Sequence, residues 1–301
     1  MKVFYRDEMS TDSGGYSPSA KKPELVVRDW EEKLVVRDWE EKFGQARLFS
    51  IESDFSPVSV DDLKKVHDPK FVDGVMSLSI ENGHGNTLPS VRDSLPWVSG
   101  SLYAACRSAL SEGVTCSPTS GFHHAHYGEC HGFCTFNGLL VAAAKLLDDG
   151  EVKNVAIIDF DAHWGDGCVD ILKRVGRYRD SISYVHASDL TPMHETIKVS
   201  EFINAIPEYL SSLPEPDLVI YQAGADMHKD DPLNWGLGLD NNELDERDYE
   251  VFKWCKDNAT PVCWNFAGGY QRDESGSIRK VLDIHYNTFF AAFDVFRASP
   301  Y

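Results

Sequence analysis

The chain is 301 residues long, 42% hydrophobic and 26% charged, with a formal net charge of −19. That length holds one large α/β domain or two ordinary ones and buries a sizeable core, and the composition excludes wholesale disorder. The acidic balance argues against nucleic-acid binding through phosphates; besides aiding solubility, it suits a cationic substrate or partner.

No apolar run approaches the roughly 20 residues of a membrane span, and the N-terminal stretch MKVFYRDEMSTDSGG has no basic segment followed by an apolar one. The expectation is a cytoplasmic protein with no membrane partner. Cys106, Cys116, Cys130, Cys134, Cys168, Cys255 and Cys263 form no CxxC pair and read as reduced, mostly buried thiols rather than a disulfide framework.

In chain order, residues 6–24 are polar and rich in Gly, Ser and Pro, which predicts a surface loop or mobile lead-in. The nonapeptide LVVRDWEEK then occurs twice in succession, at Leu25–Lys33 and Leu34–Lys42. Nine residues at about 100° each turn a helix by about 900°, so one unbroken element cannot bury both copies on one face. Residues 6–42 therefore read as a surface lead-in extended by a local duplication, within a single catalytic domain spanning 1–301. SVDDLKKVHDPKFVDGVMSL (59–78) predicts a helical pair behind a Ser or Asp cap; GSLYAACRSALSEG (100–113) and FNGLLVAAAKLLDDG (136–150) predict helices ended by Gly113 and Gly150. NVAIIDF (154–160), ISYVH (182–186), DLVIYQAG (217–224) and PVCWNFAGG (261–269) read as buried strands. Continuous apolar strands separated by helices give an α/β fold class: a single-domain, three-layer α/β/α architecture around a mainly parallel sheet, with ligands bound beyond the carboxyl ends of the strands.

Those strand ends carry chemistry. Asp159, Asp161 and His163 are spaced by two, so while the chain stays extended they point to one side. Asp226 follows the strand at 217–224, and Tyr270 follows the pair Gly268 and Gly269. Asp161, His163 and Asp226 make a set of nitrogen and oxygen donors with positions left for water and substrate, as in catalytic zinc sites; structural sites are closed by four ligands. The fourteen residues GFHHAHYGECHGFC (121–134) admit two readings. A zinc finger would use His126, Cys130, His131 and Cys134, but no second ligand pair of the usual spacing follows. Alternatively, the tandem His123 and His124 serve as acid/base groups beside the metal, with Asp159 and Asp166 available to fix their tautomers.

The combination SGFHHAHYGECHGFCTFNG, IIDFDAHWGDG, YQAGADMHKDDPLNWGLGL and AGGY resembles the histone-deacetylase-like zinc amidohydrolases of the arginase/deacetylase fold, and HDPKFVDGV and NGHGN upstream are similar to the bacterial-type branch. The resemblance implies that Asp161, His163 and Asp226 bind one Zn²⁺ and that His123 and His124 act as general base and acid, in an order left open, oriented by Asp159 and Asp166. It further implies that Tyr270 stabilises the oxyanion, that Gly132 and Phe133 line a narrow acyl-lysine tunnel, and that Asp159, Asp161 and His163 help bind K⁺ beneath the zinc. The implied reaction is removal of an acyl group, acetyl first among them, from lysine or a related cationic amine. Acetylpolyamines or other small amides are the alternative substrates; a non-catalytic acyl-lysine binder and a dimanganese ureohydrolase are the further alternatives. The oligomeric state stays open. DLTPMHETI (189–197) departs from the Phe-Phe-Pro-Gly type segment that supplies the family's second tunnel wall.

Overall fold

The computed structural model describes residues 1–34, 48–190, 198–234 and 236–297. Seven strands, β1 (Lys2–Phe4), β2 (Ser50–Glu52), β3 (Val114–Cys116), β4 (Val155–Phe160), β5 (Ile182–His186), β6 (Leu218–Ala223) and β7 (Val262–Asn265), form one sheet in the order β2-β1-β3-β7-β6-β4-β5. Among the described residues every pairing between these strands is parallel, so the sheet there is wholly rather than mainly parallel. Among the described residues there are nine α-helices: α1 (Lys22–Leu34), α2 (Val60–Leu63), α3 (Pro69–Met76), α4 (Pro89–Glu112), α5 (Gly138–Asp148), α6 (Asp166–Arg174), α7 (Val199–Ser211), α8 (Asn241–Asp257) and α9 (Arg279–Arg297).

Alternation along the strands sorts the core into two layers. Ile158 and Phe160 of β4 join Tyr221 of β6 and Trp264 of β7 against Trp30, Phe202, Phe252 and Phe289 of α1, α7, α8 and α9. Ile157 faces the other way, with Ile220 and Cys263, against Leu63, Phe71, Leu102, Leu140 and Ile171 of α2 to α6. No helix among the described residues is long and apolar enough to cross a membrane.

The expected surface lead-in is corrected by the structure. The first nonapeptide copy lies in α1, where Val26, Val27, Trp30 and Leu34 fall on one helical stripe and are buried in the core. One copy, completed by the Leu that opens the second, is enough to bury a face; the rest of the second copy lies outside the described residues. Ahead of it, Met9, Ser13, Ser17 and Ser19 are also buried, so this loop is packed. Helix α4 starts at Pro89 rather than near Gly100. Pro89 occupies its first turn, where no N–H is needed, and the helix runs on through Pro96, whose carbonyl accepts from Val58 N at 3.1 Å.

Candidate active site

Strands β3, β7, β6 and β4 are consecutive in the sheet, and the chain leaves β4 for β5 on one side before returning to β6 on the other. Loops that follow these strands open at a switch point, where α/β sheets bind ligands. At this level the registers place His186, Asp159, Gln222 and Asn265 side by side across β5, β4, β6 and β7. The row is hydrogen-bonded: Gln222 Nε2 donates to Asp159 Oδ1 at 2.8 Å and Asn265 Nδ2 to Gln222 Oε1 at 3.3 Å. Tyr184 of β5 adds its hydroxyl to Asp159 Oδ2 at 2.6 Å. A buried carboxylate is tolerable because both oxygens are engaged.

Beyond this floor Asp161, His163 and Asp226 converge. His163 Nδ1 lies 3.0 Å from Asp161 Oδ1 and 3.1 Å from Asp226 Oδ2, and one donor atom from each residue fits within 4.8 Å of the others. Backbone N–H groups hold the carboxylates: Gly268 N donates to Asp161 Oδ2 at 2.7 Å and Ala162 N to Asp226 Oδ1 at 3.1 Å. Gly268 is required here, since a Cβ at that position would stand 2.0 Å from Asp226 Oδ2. Burial, with Asp161 adding to it, raises the Asp226 carboxyl to about 7. Burial opposes the charge on His163, but Asp161 and Asp226 outweigh it and lift the imidazole to about 10. Such a cluster holds protons where a cation would satisfy it, and two carboxylates with one imidazole at this spacing fit a zinc ion with open positions.

The tandem histidines stand beside this cluster with ring centroids 4.0 Å apart. His123 Nδ1 donates to Asp159 Oδ2 at 2.9 Å, and its Nε2 lies 3.8 Å from Asp161 Oδ1. His124 Nδ1 bonds Asp166 Oδ1 at 2.6 Å. Burial works against charge on His123, yet Asp159 and Asp161 raise it to about 9. Burial and the neighbouring His123 push His124 down to about 4, despite Asp166. The two adjoining rings are thus shifted in opposite directions, His123 up and His124 down.

A narrow pocket leads in past Gly132, Phe133, Tyr270 and Ser19. Gly132 (φ +51°) and Phe133 (φ +65°) are both left-handed, and a Cβ on Gly132 would meet His124 Cδ2 at 2.5 Å. This turn sets the Phe133 ring 6.0 Å from that of Tyr270. On the other side Tyr16, from the N-terminal loop, stacks on Tyr270 at 6.3 Å and 14°. Of the departing segment at 189–197, residues 191–197 lie outside the described residues.

Cys130 and Cys134 take no part in either candidate metal cluster among the described residues; their thiols donate to Glu81 O and Gly132 O. Four supporting residues escaped the sequence reading. Gln222, Asn265 and Tyr184 had a signal, as polar groups near the ends of otherwise apolar strands. Lys22 had none: it is buried, donates to Ala267 O at 2.7 Å, and is lowered to about 8 by burial, against the pull of Asp226 and Asp161.

The chain is 29% identical over 236 residues to an uncharacterised protein of Picosynechococcus, covering 70% of this chain and 76% of that one. It is 27% identical over 205 residues to histone deacetylase 2 of Arabidopsis thaliana, covering 62% of this chain but only 51% of that protein, about half its length. In three dimensions it superposes on acetylpolyamine aminohydrolase from Burkholderia pseudomallei with a TM-score of 0.68 over 98% of this chain and 99% of the other, at 14% identity, a likeness of fold. The histone deacetylase domain model matches residues 32–188 and 188–283, most of the chain, and the protein belongs to that family.

Proposed function

We propose that the protein is a zinc-dependent deacylase that hydrolyses the amide of an acylated lysine or related cationic amine. The observation that carries this reading is the pair of His–Asp dyads, His123–Asp159 and His124–Asp166, beside the open three-donor cluster within a chain of the histone deacetylase family. Asp161, His163 and Asp226 would hold the zinc, which when bound supplies Lewis acidity toward an amide carbonyl and lowers the pKa of water.

The chain's own residues do the rest. One imidazole of the tandem pair takes a proton from the attacking water; the pair returns a proton to the amine nitrogen as the carbon–nitrogen bond breaks, giving a carboxylate and a free amine. Asp159 and Asp166 fix which ring nitrogens carry protons. The Tyr270 hydroxyl donates to the oxyanion that develops on the carbonyl, and Phe133 and Gly132 with Tyr270 confine the acyl chain. Acetylpolyamines remain the second substrate class, favoured by the net charge of −19.

The test is turnover by zinc-loaded protein across acetyl-lysine peptides, longer acyl-lysine peptides and N-acetylated polyamines, with Tyr270→Phe as control. Cleavage of one class, abolished in the control, supports the reading and selects the substrate; cleavage of none refutes it.

A further inference from the structure

The tandem histidines and the tunnel turn use only part of the loop between β3 and α5. His126 and His131 are left over: His126 contacts Asp166, and a donor atom of His131 lies within 4.8 Å of the same carboxylate. We propose that His126, His131 and Asp166 form a second divalent-cation site at the rim, distinct from the interior cluster and sharing Asp166 with the His124 dyad.

The geometry is that of imidazole and carboxylate ligation. His126 Nε2 stands 3.3 Å from Asp166 Oδ2, while Oδ1 of the same carboxylate serves His124. Metal–ligand distances of about 2.0–2.1 Å place neighbouring donors of a tetrahedral zinc about 3.3 Å apart and the centroids of two ligating rings about 5–6 Å apart. The rings of His126 and His131 are 6.4 Å apart and those of His124 and His131 5.7 Å, each pair near perpendicular. Donor atoms of His124, His131 and Asp166 also fit within 4.8 Å of one another. Of the three proposed ligands, His131 is exposed and must turn further toward Asp166 for the set to close around one ion.

Both histidines are mounted rather than dangling. His126 N donates to Glu129 O at 3.0 Å, and the carbonyl of His126 accepts from the buried His67 Nδ1 at 2.9 Å. His67 is fixed in turn, because its Nε2 accepts from Asn137 N at 2.8 Å. His131 is tied by a two-way bridge to Cys134, at 3.1 and 2.8 Å. Behind His126, Asp170 Oδ2 lies 3.6 Å from Nδ1, a carboxylate of the kind that orients a ligating imidazole. Two imidazoles and a carboxylate select a borderline first-row divalent ion such as zinc over magnesium or calcium.

The site has a consequence for the neighbouring dyad. An ion on Asp166 draws on the carboxylate that fixes the His124 tautomer, so zinc beyond one equivalent lowers turnover. This consequence, though not the site, rests on the deacylase reading.

The test is calorimetric titration of zinc into the chelator-treated full-length protein. The expected result is two events, of which His126→Ala/His131→Ala weakens only the weaker, by at least the roughly 10- to 100-fold that loss of a ligand's supporting partner already costs; Asp226→Ala removes only the tighter. His131→Ala alone, on an exposed side chain, guards against misfolding of the double variant and should weaken the same event. A single event in the wild-type protein, or a second event unchanged in both histidine variants, overturns the proposal. Because the readout is metal binding, absence of turnover would refute the deacylase reading and leave this site standing, whereas absence of the second event from the wild-type protein would refute the site alone.

Discussion

The interior and rim clusters are built from the same donors, imidazole and carboxylate, yet they sit in opposite surroundings. Inside, Asp161 and Asp226 are 2% and 0% exposed, and Gly268 N and Ala162 N, from two different loops, hold their spare oxygens. At the rim His131 is exposed, and Asp166, at the first position of α6, is braced by Gly167 N at 3.0 Å. The comparison separates affinity from composition: burial and fixed backbone donors pre-organise a site, and desolvated carboxylates make a cation far more welcome than exposed ones do.

Breaking the interior should therefore cost most. Asp226→Ala is expected to lose its stoichiometric zinc and its turnover together, checked by metal analysis after gel filtration and a deacylation assay; a variant that stays metal-replete and active means the ligand set is wrong. Tyr270→Phe should keep zinc content unchanged while turnover falls about 10²- to 10³-fold, the usual loss for one oxyanion donor. Ordinary activity in that variant removes Tyr270 from the chemistry and leaves the metal cluster untouched.

The same contrast extends to folding. Trp30, wholly buried, meets Phe266 at 5.6 Å and Phe289 at 5.0 Å, and its helix carries Lys22 to the back of the site. Trp30→Ala should destabilise by about 3–5 kcal/mol, while His131→Ala at the rim should stay within about 0.5 kcal/mol. Urea unfolding of both variants, loaded with no more than one equivalent of zinc so that the rim contributes no binding energy, measures the difference. Equal losses would mean that the rim loop is part of the cooperative core.

Much of this was legible beforehand, for physical reasons that vary by residue. Strands β4, β6 and β7 are fully buried, with β5 mostly so, and announce themselves as apolar runs, and the donors at their ends follow from the rule that parallel sheets bind at their carboxyl edge. Strands β1, β2 and β3 are too short, at three residues each, to display any period. Helix α1 was obscured because the two nonapeptide copies, taken together, cannot bury one face and so read as surface, whereas one copy plus Leu34 completes the buried stripe. Lys22 was invisible for a different cause. A lysine in a polar run acquires a buried role only when tertiary folding brings it against Ala267 and the acidic centre. His126 and His131 were legible as residues but not as a place, since only the turns that mount them bring both to Asp166.

The smallest expected effect concerns the frame behind the interior cluster. His285 of α9 is fully buried, stacks on Phe266 at 4.4 Å and 25°, and has no hydrogen-bond partner for either ring nitrogen among the described residues. Burial, reinforced by Lys22 and Arg247, holds its pKa well below the usual value for histidine. The unfolded chain therefore takes up this proton at a higher pH than the folded one, near 6.5. A depressed folded pKa means that the contribution to stability is fully present above about pH 6.5 and is lost as the pH falls below it, at up to about 1.4 kcal/mol per pH unit. His285→Phe removes the titrating group while keeping a ring against Phe266. Its denaturation midpoint at pH 7.5 should lie close to that of the parent, and its decline between pH 6.5 and 5 should be shallower by up to one proton. Parallel curves for the two proteins would show that His285 is not held neutral by its surroundings, and the acid sensitivity of the frame would then belong to other groups.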